Sequence, residues 1–170
     1  MAAYNLIATT TVGSGGASAI TFTSIPATYT DLLVVLSLRT DTTSDQFYVT
    51  LNSSTFGSGL NNGNKILYGS GASAASNNGA AYLGFPSASN YTASVFGNAS
   101  IYIPNYTGST NKSVSTDSVA ENNAATAYAN FSASIFNIAV AITIVSIETT
   151  GTGTKFVQYS SASLYGIKNS

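Results

Sequence analysis

The run Leu32-Leu33-Val34-Val35-Leu36-Ser37-Leu38 is apolar at both parities apart from Ser37, and it ends on Arg39 and Thr40. A strand points alternate side chains to opposite faces. The spacing therefore predicts a central strand with Leu32, Val34, Leu36 and Leu38 on the core face. Leu33, Val35, Ser37 and Arg39 take the other face, and with apolar residues on both sides that face is expected to be covered too. A buried helix of this length is the competing reading; the β-branched pair and the bounding turn residues favour a strand. Each fully buried Leu or Val contributes roughly 1.5–3 kcal/mol, so this element anchors the core.

Similar alternation marks further strands. Residues 4–9 alternate from Tyr4 to Thr9, and Gly13-Ser14-Gly15-Gly16 turns the chain into Ala19-Ile20-Thr21-Phe22-Thr23. Pro26 ends ladder pairing, and Tyr29 packs at the corner before the central strand. Gln46–Leu51 is extended. Residues 93–104 form a strand led by Val95 and Phe96 and closed by Pro104, followed by a turn over Asn105–Ser109. Lys112–Thr116 and Ala127–Phe131 follow, with a turn at Glu121-Asn122-Asn123. Val140–Ile147 reads as a second strong core strand. Thr149–Gly153 reads as a hairpin-like turn into a last strand from Phe156 through Lys168. No segment carries a 3.6-residue period with helix caps.

The predicted fold is all-β: an antiparallel, jelly-roll-like β-sandwich of eight to ten strands, with a closed barrel as runner-up. One domain spans residues 1–170. Between Asn52 and about residue 80, Gly, Ser, Asn and Ala dominate; only Lys65–Tyr68 and Ala81-Tyr82-Leu83 look extended, so this stretch reads as long surface loops.

Composition narrows the function. Charged residues are 6% of the chain, against roughly 25% in an average soluble domain. Such a surface suits a protein that covers itself with neighbours. With a net charge of −1 and no basic cluster, binding of nucleic acid through its phosphates is not expected. Cys and His are both lacking, which removes disulfides, thiolate sites and the commonest general base. The most apolar run, Ile135–Ile147, is interrupted by Asn137, Thr143 and Ser146 and falls short of the roughly 20 residues of a membrane helix, so no membrane partner is expected. The N-terminus has no basic stretch and no long apolar run, so no secretory signal is expected. Six Asn-x-Ser/Thr sequons, at Asn52, Asn90, Asn98, Asn105, Asn111 and Asn130, are what chance gives a chain so rich in Asn, Ser and Thr.

Candidate chemistry is sparse. Gly13–Gly16 lacks the Lys and the helix of a phosphate loop. Asp41 and Asp45 lack the Gly and distal Glu of a calcium loop and read as turn residues. A glycan hydrolase needs paired carboxylates, and Asp31, Asp41, Asp45, Asp117, Glu121 and Glu148 form no recognisable constellation. No catalytic, cofactor or metal residue is assigned, and no enzyme activity is expected. Arg39 is expected to pair with Asp41, Asp31 or a carbonyl. Gly166 is expected to mark a bulge or a close backbone approach, and the Tyr165 hydroxyl to find a buried partner.

Val12–Gly16, Ile20–Leu32, Leu36–Thr40 and Ala162–Lys168 together resemble a family of small tailed-phage virion proteins found in marine and cyanobacterial phages. The resemblance covers roughly the first forty residues and the last ten. It implies a jelly-roll-like body that assembles as a homotrimer on the outer surface of a phage particle, built in the host cytoplasm, without enzyme activity. The leading expectation is a capsid decoration, or cement, protein bound to the major capsid protein. The alternative is a tail-fibre or tail-appendage receptor-binding adhesin, whose eleven Tyr would stack on sugars; as strand and core residues the same Tyr need no ligand. The N-terminal strand or the 52–80 loops are the expected inter-subunit contacts.

Overall fold

A computed structural model describes residues 3–43, 46–55, 64–70, 73–78, 82–122 and 128–168. Twelve strands are present among them: β1 (Ala3–Thr11), β2 (Ala19–Phe22), β3 (Asp31–Leu38), β4 (Phe47–Leu51), β5 (Ser54–Thr55), β6 (Asn64–Ser70), β7 (Ser73–Asn78), β8 (Gly97–Ile103), β9 (Lys112–Ala120), β10 (Tyr128–Phe136), β11 (Val145–Thr149) and β12 (Ser161–Lys168). All pair antiparallel. The large sheet has the order β1-β12-β3-β8-β9-β10-β6-β7, and the small one β2-β11-β4-β5. The chain crosses between sheets at β1→β2→β3→β4, at β5→β6 and again at β10→β11→β12. That leaves β1-β12-β3-β8 opposite β2-β11-β4-β5, the interleaved strand order of a jelly roll. The other four strands widen the large sheet alone.

The core fills the space between the sheets. Leu32, Val34, Leu36, Leu38, Ile101, Ile103 and Leu164 from the large sheet meet Ile20, Phe22, Val49, Leu51, Val145 and Ile147 from the small one. The core face predicted for β3 is the one observed. Its opposite face is open: Leu33 and Ser37 are half-buried and Val35 is 44% exposed. Apolar content at both parities predicts cover on both sides, but no layer of the described residues packs on that face.

Four further predictions need correction. First, Lys65–Tyr68 is extended as predicted, but within a longer strand, and residues 73–78, expected as loop, are a second one: β6 and β7 pair in register from Lys65↔Asn78 to Ser70↔Ser73. Backbone bonds hold this pair, and Ile66 and Asn64 supply the buried anchors; with the two-residue β5, this raises the strand count above ten. Ala81 lies outside the described residues, and Tyr82 and Leu83 are not strand: the chain makes a single bridge there, Gly84 with Phe47, with the Leu83 N–H donating to the Phe47 carbonyl at 2.8 Å. Second, the strand predicted from residue 93 begins at Gly97, because the Val95 N–H turns back to the Thr92 carbonyl at 3.3 Å.

Third, Val140–Ile144 is not strand. Asn52, in the left-handed region at φ 49°, takes its backbone groups instead. The Asn52 Oδ1 accepts from Thr143 N at 2.9 Å and Ile144 N at 3.1 Å, and its Nδ2 donates to the Ala141 carbonyl at 2.8 Å. The Ile142 N–H goes to the Tyr106 carbonyl at 2.9 Å. Fourth, the turn over 149–153 joins strands of different sheets. The stretch after it bridges instead of laddering, with Phe156 pairing Ala17 and Thr40, and Tyr159 at φ 73° ends any extended run before β12.

The corner before β3 forms as predicted. The buried Tyr106 hydroxyl donates to the Pro26 carbonyl and accepts from the Tyr29 N–H at 3.4 Å. The Tyr29 ring lies on Gly166 so closely that an added Cβ would sit 2.2 Å from Tyr29 Cγ, the close approach expected there. Gly166→Ala should therefore destabilise the fold by about 2–4 kcal/mol. In denaturant titrations Tyr29→Ala should cost stability in the wild type but much less in the Gly166→Ala background. Additive losses would mean that the two sites do not touch.

Candidate functional site

The broadest site-like feature is the outer face of the large sheet. The strand register aligns Leu6, Tyr165, Leu33 and Tyr102 in one row, and Val35, Ser100, Asp117, Phe131 and Leu67 in the next. Tyr4, Val119 and Ile135 share this face. Phe131 and Leu67, directly paired, are 63% and 62% exposed. A shallow groove of about 520 Å³ runs beside them, bounded by Ala74 and Ala75 of β7. Among the described residues, the charged side chains within this face are Lys65 and Asp117 with Asp31 at its margin. Each is engaged locally: Lys65 donates to Asn78, Ser100 to Asp117, and Tyr102 to Asp31 at 2.8 Å. Its exposed apolar side chains gather at Phe131–Leu67 and at Tyr4–Leu6, with the polar Ser100, Ser115, Asp117 and Ser163 between them; exposed apolar clusters of this kind mark interaction surfaces.

Among the described residues, no strand pairs with the outer side of either edge of the sheet. β1 (AYNLIATTT) and β7 (SAASNN) contain no Pro and no charged residue, the usual devices against strand-on-strand association. β1 is thus an edge bearing the exposed Tyr4 and Leu6, while β7 is exposed along its whole length.

The inward face of the widened part is polar. Asn130 Nδ2 and Ser132 Oγ donate to the Leu83 carbonyl at 2.8 and 3.1 Å, Asn64 Nδ2 donates to the Tyr82 carbonyl at 2.9 Å, and Phe85 N donates to Ser118 Oγ at 3.0 Å. These groups staple segment 82–96 beneath β9, β10 and β6. Arg39 grips the same segment further along. Its Nη1 donates to the Thr92 and Val95 carbonyls at 2.7 and 3.0 Å, and its Nη2 to those of Ser89 and Tyr91 at 3.2 and 3.4 Å. Of the partners expected for Arg39, the carbonyl is the one found. Lys112 is also buried, donating to the carbonyls of Gly108, Thr110 and Ile138, and burial pulls its pKa below the ordinary lysine value.

Carboxylates are scattered. Asp31 starts β3, Asp41 accepts from the Lys155 N–H at 2.8 Å as a turn residue does, and Asp117 lies on the outer face. Glu121 follows β9, and Glu148 accepts from Tyr48 Oη at 2.7 Å and Thr50 Oγ1 at 2.9 Å. Asp45 lies outside the described residues. No three of the described groups gather into a metal-binding cluster. Tyrosines are spread over the surface: Tyr106 alone among the described ones is fully buried, and most of the rest are half-exposed. Tyr165 stands half-exposed on the outer face, and its hydroxyl has no partner among the described residues, contrary to expectation. Tyr91 and Tyr128 stack at 6.0 Å, and Phe85 joins Tyr82 and Tyr128 at 5.3 and 5.4 Å.

No protein family, curated protein or solved structure matches the chain. The geometry thus defines an all-β sandwich. The outer face was missed because sheet pairing brings its residues together from distant strands. One local signal existed: Phe131 and Ile135 share a parity opposite to that of Phe136.

Two measurements follow from these contacts. Arg39→Lys keeps the charge but loses the planar fork, and should cost about 1.5–3 kcal/mol in chemical denaturation; an unchanged midpoint would mean the four carbonyls do not need it. Hydrogen bonding and the nearby carboxylate raise the pKa of Tyr48 beside Glu148 and of Tyr102 beside Asp31 above 10.0. Above pH 10.0 the folded chain then holds more protons than the unfolded one, and stability falls as pH rises. The lowered pKa of Lys112 acts with opposite sign below 10.5. Tyr48→Phe/Tyr102→Phe should flatten the alkaline fall in unfolding free energy, and an unaltered slope would refute the assignment.

Proposed function

We propose that this chain is a non-enzymatic phage virion structural protein, a capsid decoration protein that seats on the major capsid protein of the head shell as a homotrimer. The observation that carries the reading is the outer face of the large sheet, nearly uncharged among the described residues, with exposed apolar clusters at Phe131–Leu67 and Tyr4–Leu6 and edge strands β1 and β7 that contain no Pro and no charged residue. Interface cores are depleted of charged residues and enriched in aromatics, and an open strand edge is a template for another chain. β1 and the β6–β7 hairpin, the latter inside the stretch expected to make inter-subunit contacts, form those edges. Resemblance to phage virion proteins and the jelly-roll topology, an architecture that capsid and lectin domains share, support the reading, although a fold alone does not fix a function. The tail-appendage adhesin remains the second reading, favoured by the number of half-exposed tyrosines.

The test is binding of the purified chain to expanded phage heads, with copies counted by quantitative mass spectrometry. Decoration predicts a trimer in solution and copies in the hundreds per particle, whereas an adhesin predicts a few tens at most. Phe131→Asn/Leu67→Ser should weaken head binding or trimerisation at least tenfold while leaving the thermal midpoint nearly unchanged, because both side chains are exposed. A monomer without affinity for heads would overturn the proposal.

A further inference from the structure

Away from the sheet face, loops 94–96 and 157–159 face each other across a cleft of about 490 Å³, walled by Arg39, Ser94, Phe96, Val157, Gln158 and Tyr159. Small-molecule pockets run from roughly 300 to 1,000 Å³. Each wall holds one non-glycine residue in the left-handed backbone region, Ser94 at φ 61° and Tyr159 at φ 73°. For a bulky side chain that conformation is an outlier. Glycine would fit it without strain. Tyr159 is nevertheless held there, its N–H donating to the Val12 carbonyl at 2.9 Å and the Ser160 N–H closing the turn onto the Val157 carbonyl at 3.0 Å. The ring gains little packing in return, being 68% exposed. Backbone strain of this sort gathers at ligand clamps.

We infer that this cleft is a binding site for a neutral sugar, with Tyr159 as the stacking platform. The wall chemistry selects that class. Tyr159 and Phe96 present apolar ring surface, and aromatic side chains with a polar tip suit ligands with one apolar and one wet side. The exposed Gln158 amide and the Ser94 hydroxyl offer both donors and acceptors to ligand hydroxyls. An anionic ligand is disfavoured because both terminal nitrogens of Arg39 already donate to the carbonyls of Ser89, Tyr91, Thr92 and Val95. A nucleotide would need cations for its phosphates, and Arg39 is the only one on the walls. The inference does not depend on how the sheet face is used or on where the chain sits in a particle.

The test is ligand-observed NMR of the full chain with glucose, galactose, mannose, N-acetylglucosamine and their short oligomers. At least one should bind saturably. Tyr159→Phe should bind within about twofold of wild type, because stacking needs the ring and not the hydroxyl, whereas Tyr159→Ala should lose at least tenfold. Tyr159→Gly should lose binding equally while raising the thermal midpoint by about 2–4 °C as the strain is relieved. No saturable binding by any of these sugars, or equal binding by Tyr159→Ala, would overturn the inference. So would a lower midpoint for Tyr159→Gly. If Tyr159→Ala instead disturbs only self-association or head binding, the cleft is a protein contact and the sugar assignment falls.

Discussion

A sheet of eight strands cannot be covered by a sheet of four, and the inward side of β9, β10 and β6 must find another cover. Segment 82–96 provides it. A loop laid under a sheet brings backbone groups that no ladder satisfies, and buried backbone groups need partners. This explains why the alternation along β9 and β10 changes character. Val114 and Phe136 point inward where the small sheet is near, whereas Thr116, Ser118, Asn130, Ser132 and Ser134 point inward where the loop lies. The polar side chains are hydrogen-bond partners for a non-repetitive backbone, and Arg39 completes the same task at the end of β3.

The arrangement has a cost. Thr116 Oγ1, Asn130 Oδ1 and Ser87 Oγ are buried without a hydrogen-bond partner among the described residues, and each such group costs about 1–3 kcal/mol. Most of the apolar core lies on the other half of the large sheet, between β1-β12-β3-β8 and the small sheet, with Val114, Phe136 and Leu83 extending it. Stability is therefore uneven across the molecule. The widened part rests largely on hydrogen bonds to a loop and ends in an edge strand of Ser, Ala and Asn, features that lower the free energy of local opening. It is also the portion that carries Phe131 and Leu67.

Sequence periodicity located most of the body. The β3 core face, the Pro26–Tyr29 corner, the Gly166 contact and the turns at 13–16 and 105–109 follow from local rules. The failures share one cause: tertiary partners overrode local pattern. Val140–Ile144 alternates like a strand, yet a side chain some ninety positions away takes its backbone. Residues 73–78 have no apolar signal at all and become a strand because β6 offers a ladder. The outer face is legible only after the register is known, since its rows draw single residues from many strands. Tyr159 gives no local sign, as nothing in its neighbours announces a left-handed backbone.

The near absence of free ionic groups on the outer face has a consequence for environment. Contacts between charged surfaces weaken as electrolyte is added, because mobile ions screen them within a Debye length. Burial of neutral apolar surface is not screened, and sulfate or phosphate strengthens it. A contact made through this face, as proposed above, would hold in dilute medium and in brine alike.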